Sequence, residues 1–208
     1  MPNPVLDAYA WICGEVEQEF DRNRQLHGTR IRCGPGCSDC CSQLFQITEI
    51  EAAAVSTGVR LLGPAQRRRL EARARDYVTR RAVLTTQGGE AEAWGSLPPP
   101  GARLPCPALE DGRCLIYAHR PLICRRFGMP LYNPERPGRV YACELNFAAG
   151  DAIDDNQLVQ IQTGLYESWK DIQGWYNEHG GMRDPEPITV ARAILDDFSP
   201  FADPARSV

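Results

Sequence analysis

The chain has 208 residues, 43% of them hydrophobic and 24% charged, the composition of a folded globular protein rather than a disordered one. A formal net charge of -4 speaks against a general nucleic-acid or polyanion binder. No run approaches the roughly 18 apolar residues that a membrane span requires, so no membrane partner is expected. The first residues carry Asp7 and Glu15 without a basic segment leading into an apolar run. No secretory leader is read there, and the expected setting is the reducing cytoplasm.

Pro4 to about Arg24 reads as an amphipathic helix, with Val5, Ala8, Ile12, Val16 and Phe20 at three- and four-residue spacing. Residues 28–47 are rich in Gly, Cys, Pro and Ser and read as a loop built around thiols. Thr48 and Glu51 form a capping box for a helix to about Ser56, with Gly58 as its stop. Pro64 opens a further helix to about Leu84, and Leu70, Ala74, Val78 and Leu84 are expected to face inward. Residues 87–105 read as an extended connector, and Val140–Cys143 as a short strand. A helix over about Asn156–Tyr176 follows, its buried stripe formed by Leu158, Ile161, Leu165, Trp169, Ile172 and Tyr176. The last helix spans about Thr189–Phe198. The fold expected is mainly α, with irregular cysteine-rich loops and at most a short β element, in a single compact metal-stabilised domain. Residues 1–150 are assigned to the cysteine-cluster part with its N-terminal helix, and 151–208 to a helical extension packed on it.

Nine cysteines in a reducing compartment point to metal ligation or redox chemistry rather than to a disulfide framework. Cys13, lone in the sequence, reads as an ordinary buried cysteine. The others cluster. The first block is Cys33-Gly-Pro-Gly-Cys37-Ser-Asp-Cys40-Cys41, and the second carries Cys106, Cys114 and Cys124. Thiolates two or three residues apart can turn toward one ion because the loop between them folds back. Gly34, Gly36 and Gly112 supply freedom for that fold-back, while Pro35, Pro107 and Pro121 stiffen it. Packing alone gives no reason to place four cysteines within nine positions.

The C-x3-C-x2-C-C block, the following Cys106-Pro-x-Leu, Gly112-x-Cys114-x-Ile-Tyr-x-x-Arg-Pro and Cys124-Arg-x-Phe elements, and the Thr48–Glu51 helix start resemble the YkgJ-type cysteine-cluster family. That family is associated with zinc or iron chelation, and flagellin lysine methylases carry a similar cluster. The resemblance covers about Cys33 to Phe127, and the three-residue gap between Cys33 and Cys37 departs from the usual two. It implies ligation by Cys33, Cys37, Cys40, Cys41, Cys106, Cys114 and Cys124. Cys143 lies outside those blocks. It reads either as a buried strand cysteine or as the eighth ligand of a set divisible into two four-thiolate sites.

Spacing does not choose the metal. Adjacent side chains such as Cys40 and Cys41 are expected to diverge, which favours a polynuclear centre or two centres over one mononuclear site. With the resemblance to the methylases, this makes an iron–sulfur cluster the preferred cofactor and Zn2+ the alternative. Arg120 and Arg125 belong to the family pattern and are expected to stabilise the negative centre from beside its ligands. Arg113 and Arg126 also flank the cysteines, Arg126 reading as a surface residue. Tyr117 reads as packing over the site or into the core, and His119 reads as a non-ligand.

Three functions remain open. The first is a metal-binding protein with a redox, electron-transfer or maturation role. The second is a structural zinc module that recruits a protein partner, with the helix bearing Trp169 and Trp175 as a docking face. The third is a protein-modifying enzyme related to the flagellin lysine methylases. No phosphate loop, nucleophile elbow or His-Glu-x-x-His site occurs, so the enzymatic reading rests on resemblance alone.

Overall fold

The computed structural model describes residues 3–34, 36–85, 101–147 and 151–202. Pro35 and residues 87–100 of the expected connector lie outside the described residues. Six helices are present among them: α1 Pro4–His27, α2 Glu49–Arg60, α3 Pro64–Leu84, α4 Leu122–Arg126, α5 Leu158–Glu178 and α6 Val190–Leu195. Four two-residue strands, β1 Leu109–Glu110, β2 Arg113–Cys114, β3 Leu131–Tyr132 and β4 Val140–Tyr141, form two antiparallel pairs, β1–β2 and β3–β4. The architecture is mainly α, as the periodicities predict. No described helix is long and apolar enough to cross a membrane. The chain divides into two compact units, Met1–Cys37 with Leu122–Gly180 and Ser38–Pro121 with Gly181–Val208.

In the first unit, α1 begins where the Asn3 carboxamide accepts the backbone N–H groups of Val5 and Leu6 at 3.1 and 3.0 Å. Pro4 occupies a first-turn position that needs no amide hydrogen. The buried stripe runs through Val5, Tyr9, Ile12 and Val16 and continues through Glu19, Asn23 and His27. Ala8 and Phe20, expected inward, are half-buried. The stripe follows a 4-3-4-3 rhythm that places Tyr9 and Glu19 at its centre instead. α5 packs along α1, with the Trp169 ring 5.9 Å from that of Tyr9. Leu158, Gln162 and Tyr176 are its buried residues. Ile161, Leu165, Trp169 and Ile172 are half-buried, so the expected stripe is only partly covered. Trp175 is exposed and stacks on His179 at 4.4 Å.

The polar end of α1 is stabilised by charge. Arg22 donates to both oxygens of Glu19, at 2.6 and 2.8 Å, and to Asp155 at 2.5 and 3.3 Å. Asn23 donates to the Glu19 carboxylate at 2.7 Å.

The second unit is built on α2, whose N-terminus carries the full capping box. Glu51 accepts the Thr48 N–H at 2.8 Å, and Thr48 Oγ1 accepts the Glu51 N–H at 3.3 Å. The helix continues through Gly58 to Arg60 instead of stopping near Ser56. A Cβ at Gly58 would stand 2.7 Å from the His119 side chain, so glycine is needed there for close packing rather than for termination. That contact gives His119 a packing role. The alanine face of α2 meets α6, and Ser56 Oγ donates to Ala193 O at 2.9 Å while accepting the Phe198 N–H at 3.1 Å. α3 matches its expected limits and buries Leu70, Ala74, Tyr77 and Arg81. Val78 is exposed because the stripe steps by three from Ala74 to Tyr77. α6, capped by Thr189, ends at Leu195, short of the expected Phe198, and Ser199–Ala202 forms a 3-10 turn.

The Asp155 carboxylate is buried, and burial alone would raise its pKa. Arg22 and the Gln157 N–H outweigh that and hold it below the usual carboxylate range. A depressed carboxylate contributes stability above its unfolded pKa and loses it as pH falls through the folded value. Asp155→Asn is therefore expected to cost about 1–3 kcal/mol at neutral pH. It is also expected to flatten the acid limb of stability below about pH 4, which urea unfolding at stepped pH will measure.

Candidate metal centre

None of the nine cysteines is disulfide-bonded. Cys13 is buried in the α1 stripe and plays the packing role expected of it. The other eight fall into two groups, one in each unit.

The second unit holds Cys40, Cys41, Cys106 and Cys114. Cys40 and Cys41 lie on a 3-10 turn over Asp39–Ser42, steadied by the paired hydrogen bonds of Arg103 to Asp39, each 3.1 Å. The strand-like segment after Arg103 runs beside that turn, with Leu104 N–H on Ser42 O at 3.1 Å and Cys106 N–H on Cys41 O at 2.6 Å. This sets Cys106 next to the adjacent pair. Cys114 comes back to the same place through a two-residue hairpin between β1 and β2, in register Leu109↔Cys114 and Glu110↔Arg113. Its loop residues, Asp111 and Gly112, both have positive φ, 49° and 73°. That is the pattern of a type I′ turn, for which Asp-Gly is a favoured pair. α3 holds the hairpin through Arg73, which donates to Pro107 O at 2.9 Å and to Glu110 at 2.7 Å.

The four thiols interact with one another. A hydrogen bond joins the thiols of Cys40 and Cys41 and, with burial, holds Cys40 far above the ordinary thiol range. The expectation that these neighbours diverge is thus corrected. Their one-carbon arms are short enough to fold toward each other from a tight turn. Burial pushes Cys106 up to about 12, with Cys114 and Cys40 adding like-charge repulsion, while backbone N–H groups of Ala108 and Leu109 act in the opposite sense. Burial likewise raises Cys114, opposed by the Ile116 N–H and by the charge of Arg120. Arg120 itself lies 3.9 Å from the ring of Tyr117, which is 61% exposed and so outside the core.

The first unit holds Cys33, Cys37, Cys124 and Cys143. Burial pushes Cys33 up to about 11; Asn146 lowers it, and Cys37 and Cys143 raise it. Cys33 and Cys37 share a thiol hydrogen bond, and Cys143 lies within electrostatic reach of Cys33. Cys37 is exposed, and its N–H closes a turn onto Gly34 O at 3.0 Å. Cys143 is buried just beyond the short strand β4. Cys124 is half-buried on α4. The next residue, Arg125, is buried and its guanidinium pairs with Glu17 of α1, fastening α4 to that helix.

Two residues that the sequence did not single out organise this group. Gly128 passes so close to Cys33 that a Cβ there would stand 2.5 Å from its sulfur, and its φ of 112° is one that side chains rarely adopt. Asn146, 2% exposed, lies within hydrogen-bond distance of the Cys33 sulfur. The Asp-Gly pair at 111–112 was a readable hairpin signal for the other group. Asn146 had no local signature, because it meets Cys33 across 113 positions of sequence.

Among the described residues, no three or more His, Cys, Asp or Glu side chains converge closely enough to hold a metal ion. Chemically, the donors fit a thiolate-binding metal. They are sulfur atoms without disulfide partners, and backbone N–H groups at Cys106 and Cys114 are directed at them. Residues 32–143, just over half of the chain, match the CxxCxxCC family, described as a "putative zinc- or iron-chelating domain". The chain belongs to that family. The matched span includes all eight grouped cysteines, Cys143 as its last residue, and leaves Cys13 outside. No curated protein and no solved structure matches the chain.

Gly128→Ala forces either the Cys33 sulfur or the local backbone to move. It is expected to destabilise the first unit by about 1–3 kcal/mol and to weaken metal retention by roughly tenfold or more. Chemical unfolding and competition with a chromogenic chelator will measure the two effects.

Proposed function

We propose that this CxxCxxCC-family protein holds metal on two thiolate groups, with iron–sulfur centres as the leading assignment and a redox, electron-transfer or cluster-maturation role. The observation behind the reading is the partition of the eight cysteines. Cys40, Cys41, Cys106 and Cys114 interact within one unit, while Cys33, Cys37 and Cys143, with Cys124 on α4, belong to the other. Four thiolates are the usual complement of one cluster. The N–H donors directed at Cys106, Cys114 and Cys33 would offset the negative charge of such a centre and adjust its potential. Arg120, whose charge acts on Cys114, would contribute in the same sense. An electron-transfer role requires a protein partner, and a reducing cytoplasm is the setting in which so many thiols stay available.

One observation favours a second reading, zinc on the Cys40 group. The thiols of Cys40 and Cys41 meet instead of diverging, so four thiolates could close around a single tetrahedral ion.

Anaerobic purification followed by iron, zinc and acid-labile sulfide analysis separates these. The leading reading predicts a brown protein with iron and sulfide, and a colourless zinc protein without sulfide would replace it with the second. Replacing Cys40 and Cys41 together by serine, or Cys33 and Cys143 together, is expected to remove part of the metal and leave the rest. Complete loss from either pair in a folded protein would contradict the two-group assignment.

A further inference from the structure

Asn146 joins three separate stretches of the first unit through one side chain. Its Oδ1 accepts the Arg32 N–H at 2.8 Å, and its Nδ2 donates to Gly128 O and reaches the Cys33 sulfur at 3.4 Å. The carboxamide orientation is fixed by chemistry, since Arg32 N–H needs an acceptor and Gly128 O needs a donor. Both Nδ2 hydrogens therefore have partners, one a carbonyl and the other the sulfur. The Asn146 main-chain N–H bonds to Cys143 O at 2.8 Å, and the following Phe147 N–H bonds to Arg30 O at 3.0 Å. The segments bearing Cys33 and Cys143 are thereby tied on both sides of the same residue. Gly128 permits this approach, because any side chain there would occupy the place of the Cys33 sulfur.

We propose that Asn146 is a positioning residue of the Cys33 group, directing an N–H at the Cys33 sulfur and setting Cys33 against Cys143 so that both face one metal centre. The residue lies beyond the family match, which ends at Cys143. A carboxylate at this position would set an anion against both Gly128 O and the sulfur. An apolar isostere would leave the buried Gly128 carbonyl, the part-buried Arg32 N–H and the thiolate without these bonds. The proposal rests on the reading of Cys33 as a metal ligand.

The test uses the full-length chain, reduced and metal-free, titrated with Co2+ while its sulfur-to-metal absorption is recorded. Subtracting the spectrum of Cys33→Ser from that of the unaltered protein isolates the Cys33-dependent band. Asn146→Leu is expected to weaken that band's Co2+ affinity by about tenfold or more and to shift it to longer wavelength. The shift arises because a sulfur stripped of its hydrogen-bond donor gives up charge to the metal more easily. Asn146→Asp, similar in size, is expected to weaken binding as well. A band unchanged in position and affinity in both Asn146 variants overturns the inference while leaving Cys33 a ligand. No spectral difference for Cys33→Ser overturns the ligand reading and the inference with it. A purely structural role would lower stability and metal occupancy without moving the band position in the protein that remains loaded, and that result also counts against the proposal.

Discussion

A thiolate placed away from water must be matched by positive charge or hydrogen-bond donors, and this requirement governs the cysteine-bearing part of the chain. Burial pushes Cys33 to about 11 and Cys106 to about 12, so both are neutral thiols at physiological pH when no cation is present. Holding them as ligands, as proposed, would mean offsetting that penalty locally. The chain does so with backbone N–H groups at Cys106 and Cys114, with the carboxamide of Asn146 at Cys33, and with the charge of Arg120 near Cys114. In the proposed arrangement a metal would supply the remaining positive charge, and its binding would be coupled to proton release.

The helices provide the frame for this arrangement. In the second unit, α3 fixes the β1–β2 hairpin through Arg73, and the tight Asp111-Gly112 turn returns Cys114 to the level of Cys106. In the first, Arg125 fastens α4 to α1 while Gly128 lets the following backbone run against the Cys33 sulfur. The two groups thus use the same physical means on unrelated local structures. One relies on main-chain N–H groups in tight turns and the other on a buried side-chain amide.

Much of this was legible from local chemistry. Pro4, the Thr48–Glu51 capping box and Pro64 mark helix starts because each satisfies or removes orphan amide hydrogens in the first turn. Gly58 misled as a stop because its reason for being glycine, the His119 side chain packed against α2, comes from 61 positions away. Val78 was exchanged for Tyr77 because the buried stripe of α3 steps by three where a step of four was read. The cysteine clustering announced metal chemistry, and the family match supports that. The direction of two adjacent side chains was not legible, since it depends on the turn that carries Cys40 and Cys41. Asn146 was invisible for a simpler reason. Asparagine is common in loops, and nothing near it in sequence marks a bond to Cys33.

In the proposed arrangement the metal is held by sulfur alone. X-ray absorption at the edge of the bound metal, recorded on anaerobically purified protein, reads its nearest neighbours directly. All-sulfur ligation gives a first shell of sulfur at about 2.3 Å, with four sulfurs per metal on average. A shell containing nitrogen or oxygen in place of two or more sulfurs would contradict it.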